Sequence, residues 1–240
     1  MWLLSRKTTI EDSGLLDGFC DCHCHLLPGV DDGVQQTEET LQILQEWERL
    51  GVKEIWLTPH IMEDIPNRPD ELQRRFEMLK ADYQGTIRLQ LAAEHMMDGP
   101  FSTLLETGQT IPFGEKGEHL LVETSYYIPP MHMEGLISDI RKKRYDPILA
   151  HPERYQYMDV KDYRKWKDMG VLLQLNLPSL VGAYGYEVMK KAEWLLKENM
   201  YDFFGTDTHS MNQVNYFLKG TLSKKTAKKL KESMNLSLNR

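Results

Sequence analysis

The chain has 240 residues, with 29 Lys and Arg against 36 Asp and Glu, a formal charge of −7. That acidic balance argues against a nucleic-acid binder, because phosphates reward clustered Lys and Arg. Apolar residues at 41% and charged residues at 27% exclude disorder, and no apolar run approaches the ~18 residues of a membrane span.

This length suits one large core burying roughly 70–75% of the unfolded surface, although two small domains are not excluded. The start, Met1–Lys7, is too briefly apolar for a secretory signal, so a cytoplasmic location is the expectation. Residues 1–18 read as an extension ahead of the first strand-like run, 19–24. The cysteines are Cys20, Cys22 and Cys24, an odd number in five residues that cannot make a disulfide framework. Strand alternation puts Asp21, His23 and His25 on one face and the cysteines on the other, packed under helices. No Arg stands six positions beyond any cysteine, as the loop of the cysteine phosphatases requires.

A helix is expected over 38–50, with Leu41, Leu44, Trp47 and Leu50 on one face, Thr37 as cap and Gly51 at its end. Strands 53–58 and 87–93 flank a second helix over 70–84, where Leu72, Phe76, Leu79 and Tyr83 recur behind Pro69. Strands 119–123, 147–150, 171–176 and 202–206 follow. Leu136, Ile137 and Ile140 mark a helix between the first two, and Val188, Ala192, Leu195 and Leu196 one before the last. From Lys219 to Arg240 there are seven Lys or Arg and one Glu. Leu222, Ala227, Leu230 and Met234 form the apolar side of a basic helix over 219–240 that docks on the acidic body.

Strand-then-helix order implies right-handed crossovers and a parallel sheet, over a body spanning 19–218. Seven such strands fit a closed barrel or an open doubly wound sheet. No Gly-x-Gly-x-x-Gly follows the first strand, which counts against a dinucleotide fold.

The strand ends carry the chemistry. His23 and His25 sit on strand one and Asp32 in the loop after it. Strand two runs into Thr58-Pro59-His60, strand three into Glu94, strand four into Glu123, strand five into His151-Pro152-Glu153-Arg154, and the last into Asp207-Thr208-His209. Each residue alone is more often a satisfied structural polar group. Together they stand at the carboxyl ends of six of seven strands, where barrel enzymes build their sites. Five imidazoles and four carboxylates with no thiolate suit Mn, Fe, Zn or Mg. Nine donors exceed the three or four of one catalytic ion, so two or three ions fit better. Three divalent ions against four carboxylates would leave about +2, a site that attracts an anion and generates hydroxide at neutral pH.

These motifs, with Pro28-Gly-Val-Asp-Asp-Gly33, Tyr155, Asn176 and Ser179-Leu-Val-Gly182, resemble the capsule-type bacterial protein-tyrosine phosphatases of the polymerase and histidinol phosphatase (PHP) superfamily, from about residue 19 to 210. The resemblance implies a distorted (β/α)7 barrel with a manganese-preferring trinuclear site. It assigns His23, His25, Glu94 and Asp207 to one metal, with Glu94 bridging to a second completed by Glu123 and His151. Asp32, His60 and His209 complete a third. Arg154 matches the arginine that contacts phosphate; the structural alternative is a salt bridge to Glu153 or another acid. Two departures are visible: Ile61-Met62-Glu63-Asp64 stands where basic residues often follow the strand-two histidine, and Ser210–Tyr216 carries no charge where another member has an arginine.

The expected function is a manganese-dependent protein-tyrosine phosphatase linked to capsular or exopolysaccharide regulation. A metal-bound hydroxide attacks phosphorus, Arg154 stabilises the phosphoryl oxygens and His209 is available as an acid. Tyr126, Tyr127 and Pro129-Pro130 either wall an aromatic slot or merely pack a loop. The substrate class is a phosphotyrosine protein, with the tail of a bacterial tyrosine kinase as a candidate; a homo-oligomer stays open. The alternatives are a small-metabolite phosphatase acting on histidinol phosphate or a sugar phosphate, an amidohydrolase, and an inactive PHP scaffold.

Overall fold

Runs rich in Val, Ile and Leu become parallel strands because helices cover the sheet on its outer face. The structure, a computed structural model, describes residues 7–237. The reading of Met1–Lys7 as no secretory signal (all but Lys7), residues 1–6 of the 1–18 extension and residues 238–240 of the basic tail therefore fall outside the described residues.

The chain opens with β1 (Lys7–Thr9) and β2 (Cys20–Cys24), then α1 (Thr37–Arg49), β3 (Glu54–Leu57), β4 (His60–Ile61), α2 (Pro69–Asp82), β5 (Arg88–Leu91) and β6 (Glu94–Met96). It continues through α3 (Phe101–Thr107), β7 (His119–Glu123), α4 (Met133–Lys142), β8 (Asp146–Leu149), α5 (Val160–Asp168) and β9 (Leu172–Asn176). The last elements are α6 (Tyr186–Lys197), β10 (Phe203–Gly205), α7 (Met211–Lys219), β11 (Thr221–Ser223) and α8 (Lys224–Ser237). Two parallel sheets, ordered β2-β3-β5 and β4-β6-β7-β8-β9-β10, form the curled wall. The path of strand two resumes as β4 beyond Pro59, which has no N–H to give a ladder. That of strand three resumes as β6 after Ala93, whose N–H turns to the Ile111 carbonyl (3.2 Å).

Closure joins the last strand path to the first. Asp207 N–H donates to the His23 carbonyl (2.7 Å) and His25 N–H to the Thr208 carbonyl (2.9 Å). Seven strand paths thereby close into a distorted (β/α)7 barrel. Gly205 makes the closure possible, since a Cβ there would lie 2.6 Å from His23 Cβ and 2.9 Å from Gln174 Nε2.

A bulge in β2 corrects the expected faces of the first strand. Cys20 pairs with Glu54 and Asp21 with Ile55, but Cys24 pairs with Leu57. One extra residue on β2 shifts the alternation. Cys22 consequently packs with Trp56, Leu121 and Ile148. Leu121 shares a face of β7 with Glu123, so Cys22 looks into the same interior as the strand-end carboxylates, one layer below them. Cys24 lies in the outer core with Leu26, Ile55 and Leu57. Asp21 instead accepts from the backbone N–H (2.8 Å) and Oγ1 (2.5 Å) of Thr206. Burial pushes the Cys22 and Cys24 thiols well up, so both stay protonated.

The helices follow their apolar faces, with two corrections at their ends. α1 buries Ile43, Leu44 and Trp47, but its cap position is Gln36, without a side-chain bond; Thr37 is already helical. Leu222 is buried in β11 rather than on the final helix, because Thr221–Ser223 pairs antiparallel with β1. Ser223 Oγ then accepts from Thr226 N–H (3.0 Å), which starts α8, and Leu230 and Met234 face the core. No helix among the described residues is long and apolar enough to cross a membrane.

Cys22→Ser places a hydroxyl among apolar neighbours and is expected to cost about 1–3 kcal/mol. Thermal unfolding will read that loss, while hydrolysis per folded molecule and bound metal stay as in the unmodified protein. Hydrolysis lost from a folded, metal-loaded variant would show that the thiol takes part in chemistry.

Candidate metal centre

Six of the seven strand paths, with Asp32 from the loop after the first, send side chains into the barrel mouth, and nine candidate donors come together there. The donor atoms fall into four overlapping sets, each within 4.8 Å: His25, Asp32, His60 and His209; His23, His25 and Asp207; His23, Glu94 and His151; and His60, Glu94 and Glu123. All are buried except Asp32, exposed at the rim, and the partly exposed His209. The grouping differs from the expected one in three respects, the first being that His151 falls with His23 and Glu94 rather than with Glu123. His60 stands against Glu94 and Glu123, its Nδ1 3.3 Å and 3.1 Å from their oxygens, and His25 joins the Asp32 set. Glu94 belongs to two of the sets, its oxygens lying 3.1 Å from His23 Nε2 and 3.0 Å from His151 Nε2.

Several of these contacts are too close for strangers and too misaligned for hydrogen bonds. His60 Nδ1, Glu94 Oε2 and Glu123 Oε1 are all buried, and none has a hydrogen-bond partner. His23 Nε2 and His25 Nε2 are within hydrogen-bond reach of each other (3.1 Å), where a single proton at most can serve both. Buried polar atoms left in that state are costly unless something positive sits between them. The ionisation pattern has the same sense. Burial opposes charge on His23, yet Glu94 and Asp207 outweigh it and raise its pKa to about 9. Burial likewise opposes charge on Glu94 and Asp207, and the neighbouring His23 holds both carboxyls well below the usual range. Lone pairs from imidazole and carboxylate converging in a dry pocket fit divalent cations.

Residues that sequence reasoning did not single out orient the donors. Gln174 Oε1 accepts from His23 Nδ1 (3.0 Å) and from His151 N–H (3.1 Å). Asp31 Oδ2 accepts from His25 Nδ1 (2.8 Å) and His60 N–H (3.1 Å). The Asp207 carbonyl accepts from His209 Nδ1 (2.8 Å). Each acceptor fixes the proton on Nδ1 and leaves the Nε2 lone pair facing the cluster. Strand 171–176 supplies no donor, but alternation along it places Gln174 and Asn176 on one face, and Asn176 Nδ2 donates to Asp207 Oδ2 (2.9 Å). That periodicity was the available signal. Two donors also sit in left-handed backbone, His151 at φ 34° and Asp207 at φ 51°, a strain of order 1–3 kcal/mol that clusters at functional sites.

Arg154 leaves the turn after β8 and reaches the edge of the cluster. Its Nη1 donates to Asp207 Oδ2 (2.7 Å), so the acid it pairs with is Asp207 and not the adjacent Glu153. The guanidinium lies between the rings of Tyr126 (4.4 Å) and Tyr184 (4.3 Å). Tyr126 thus packs against the site, while Tyr127 is exposed. Glu153 is fully buried and accepts from Ser179 Oγ (2.8 Å), Tyr201 Oη (2.9 Å) and Asn176 N–H (3.1 Å). It ties the turn bearing Arg154 to β9 and to the segment leading into β10.

Gln174→Leu removes the acceptor that orients His23 and His151. It is expected to weaken metal binding about 10–100-fold with the fold retained. Metal titration alongside circular dichroism checks this; unchanged affinity would remove Gln174 from the orienting role.

The chain is similar to several known proteins. A curated relative, the tyrosine-protein phosphatase YwqE of Bacillus subtilis, is 25% identical over 212 residues, covering 84% of this chain and 82% of its own. The tyrosine-protein phosphatase CpsB of Streptococcus pneumoniae is 27% identical over 205 residues, covering 80% and 83%. A solved chain from work on YwqE of Bacillus subtilis and CpsB of Streptococcus pneumoniae, described as metal-dependent tyrosine phosphatases, superposes with a TM-score of 0.72 at 24% identity, over 92% of this chain and 94% of that one. The lactonase Lmo2620 of Listeria monocytogenes shares the fold at a TM-score of 0.51 and 11% identity, covering 86% and 83%. The family model for capsular polysaccharide synthesis, CpsB/CapC, matches residues 19–238, and the chain belongs to that family.

Proposed function

We propose that this chain is a metal-dependent phosphatase of phosphotyrosine-bearing proteins, acting in capsular or exopolysaccharide synthesis from the cytoplasm. The convergence of nine donors beside one aromatic-clamped arginine carries the reading. His23, His25, Asp32, His60, Glu94, Glu123, His151, Asp207 and His209 hold two or three ions in it, manganese by preference, with Glu94 shared between sets. Bound divalent ions supply Lewis-acid charge to a phosphoryl group and make a nucleophile of water at neutral pH.

The chain's own residues do the rest. Arg154, with Nη1 on Asp207, presents the remainder of its guanidinium fork to the equatorial oxygens, and the two tyrosine rings keep it from swinging away. His209 stands at the mouth with its Nδ1 proton committed to the Asp207 carbonyl and its backbone N–H on Gln213 Oε1 (2.7 Å). Its Nε2 would hold a metal through its lone pair or, once the ring is protonated there, pass that proton to the leaving oxygen. A tyrosine phenolate leaves readily, so little acid help is needed. The tail of a bacterial tyrosine kinase is a candidate substrate.

The reading is tested with manganese-supplemented protein assayed on a phosphotyrosine peptide and on histidinol phosphate in parallel; preference for the second would make it a metabolite phosphatase. Metal analysis is expected to find more than one equivalent per chain, and chelation to abolish turnover until manganese returns. Glu94→Gln should lose more metal than Asp32→Asn, because Glu94 serves two sets; equal retention would remove the bridging role.

Arg154→Lys keeps a positive charge near Asp207 but loses the forked donors. Expected is a drop in kcat/KM of about 10–100-fold with metal content and melting temperature retained. A variant that melts earlier while its turnover per folded molecule is unchanged would make Arg154 a purely structural ion-pair residue.

A further inference from the structure

Beside Arg154 and His209 lies a hollow of about 280 Å³, lined by Pro178, Ala183, Tyr184, Asn212, Gln213 and Tyr216. Two of its walls belong to the site itself. Tyr184 is the ring that clamps the Arg154 guanidinium, and Gln213 is the side chain that accepts from His209 N–H. The hollow is therefore continuous with the place where a phosphate bound by Arg154 would lie. None of its lining side chains is charged, and Tyr216 is 54% exposed at its outer edge. Its size suits one apolar or aromatic side chain.

The charge around the mouth narrows what can approach. In the loops following the strands (25–36, 58–68, 92–100, 124–132, 150–159, 177–185 and 206–210) the lysine and arginine side chains are Arg68 and Arg154 alone. Both are engaged, Arg68 with Asp70 (3.1 Å) and Arg154 with Asp207. The turn after β4 instead presents exposed Glu63 and Asp64, held beside Asp98 by a bond from Glu63 N–H to Asp98 Oδ2 (2.7 Å). A peptide with acidic residues around its phosphotyrosine would meet repulsion at that turn, while the cations that reach the strand-end loops from neighbouring helices, Arg75 and Lys191, are held on the Pro28, Tyr155 and Met158 carbonyls.

We infer that the Tyr184–Tyr216 hollow is a specificity subsite that takes an uncharged apolar or aromatic residue flanking the phosphotyrosine. This rests on the phosphatase reading above. Burial of one such side chain against Pro178 and the two tyrosines favours it over glycine by about tenfold in kcat/KM. Glutamate at the same position gains nothing from the hollow and is repelled by the mouth.

The test uses the manganese-loaded full chain and three phosphotyrosine peptides that differ only in the residues flanking the phosphotyrosine: leucine, glycine or glutamate. p-Nitrophenyl phosphate, which has no flanks, reports on the site itself. The unmodified protein should prefer leucine over glycine about tenfold, and glutamate should be poorest. Tyr216→Ala should shrink the leucine-to-glycine ratio to about 2 or less with p-nitrophenyl phosphate turnover unchanged. Ala183→Lys, at an exposed position, should raise the glutamate peptide above glycine, and added salt should erase that gain. Because each ratio is taken within one preparation, partial misfolding cannot produce it. Equal rates on all three peptides, or ratios that neither substitution moves, would overturn the subsite and leave the phosphatase reading intact. Hydrolysis of no phosphotyrosine peptide by metal-loaded protein would overturn both.

Discussion

Glu94 is the hub of this molecule. Its carboxylate, 1% exposed, has nitrogen atoms of His23, His25, His60 and His151 within 3.0–3.3 Å. A carboxylate taken from water into a barrel interior is unfavourable by several kcal/mol unless cations surround it. Imidazoles alone meet that need only when protonated, and a proton on one crowds the next. Divalent ions would meet it for Glu94, Glu123 and Asp207 together, as the converging donor sets allow.

The rest of the barrel serves to hold those donors still. Gly205 lets β10 approach His23, and the two backbone bonds across that seam bring Asp207 beside the histidines. Left-handed backbone at His151 and Asp207 persists because the surrounding bonds leave no alternative path. Glu153 and its three donors stitch the β8 turn to β9 and to the segment leading into β10, and that turn carries Arg154. The ion pair of Arg154 with Asp207 is compatible with a phosphate-contacting role. It fixes one end of the fork at the cluster edge, and the two rings fix its plane.

The family's capsule-synthesis context and the site's chemistry meet in the mouth of the barrel, where this chain has features of its own. Acidic and aromatic residues stand where basic ones were looked for after His60 and His209. With few cations in the strand-end loops, the proposed affinity for a phosphorylated protein would come from bound metal, one arginine and apolar contact rather than from long-range attraction.

Much of this was legible in the sequence because strand ends and helix faces are local patterns. Short apolar runs located the seven strand paths, 3.6-residue spacing located α1, α2, α4 and α6, and residue type at the strand ends named the nine side chains that gather at the mouth, with Arg154 beside them. Alternation failed at Cys20–Cys24 because a bulge is a relation between two strands, visible only when β2 lies against β3. Leu222 was misplaced for a similar reason: its partner in β1 is more than two hundred residues away and no local signal ties them. Asp31 and Gln174 escaped notice because an acceptor's role is defined by the histidine it faces. What the sequence determined by itself is the inventory: which side chains the barrel mouth receives, and that they are imidazoles and carboxylates. Only the tertiary structure decided which donors share an atom, which nitrogen each histidine turns inward and which acid holds Arg154, because those are distances of a few ångströms between strands that meet only when the barrel closes.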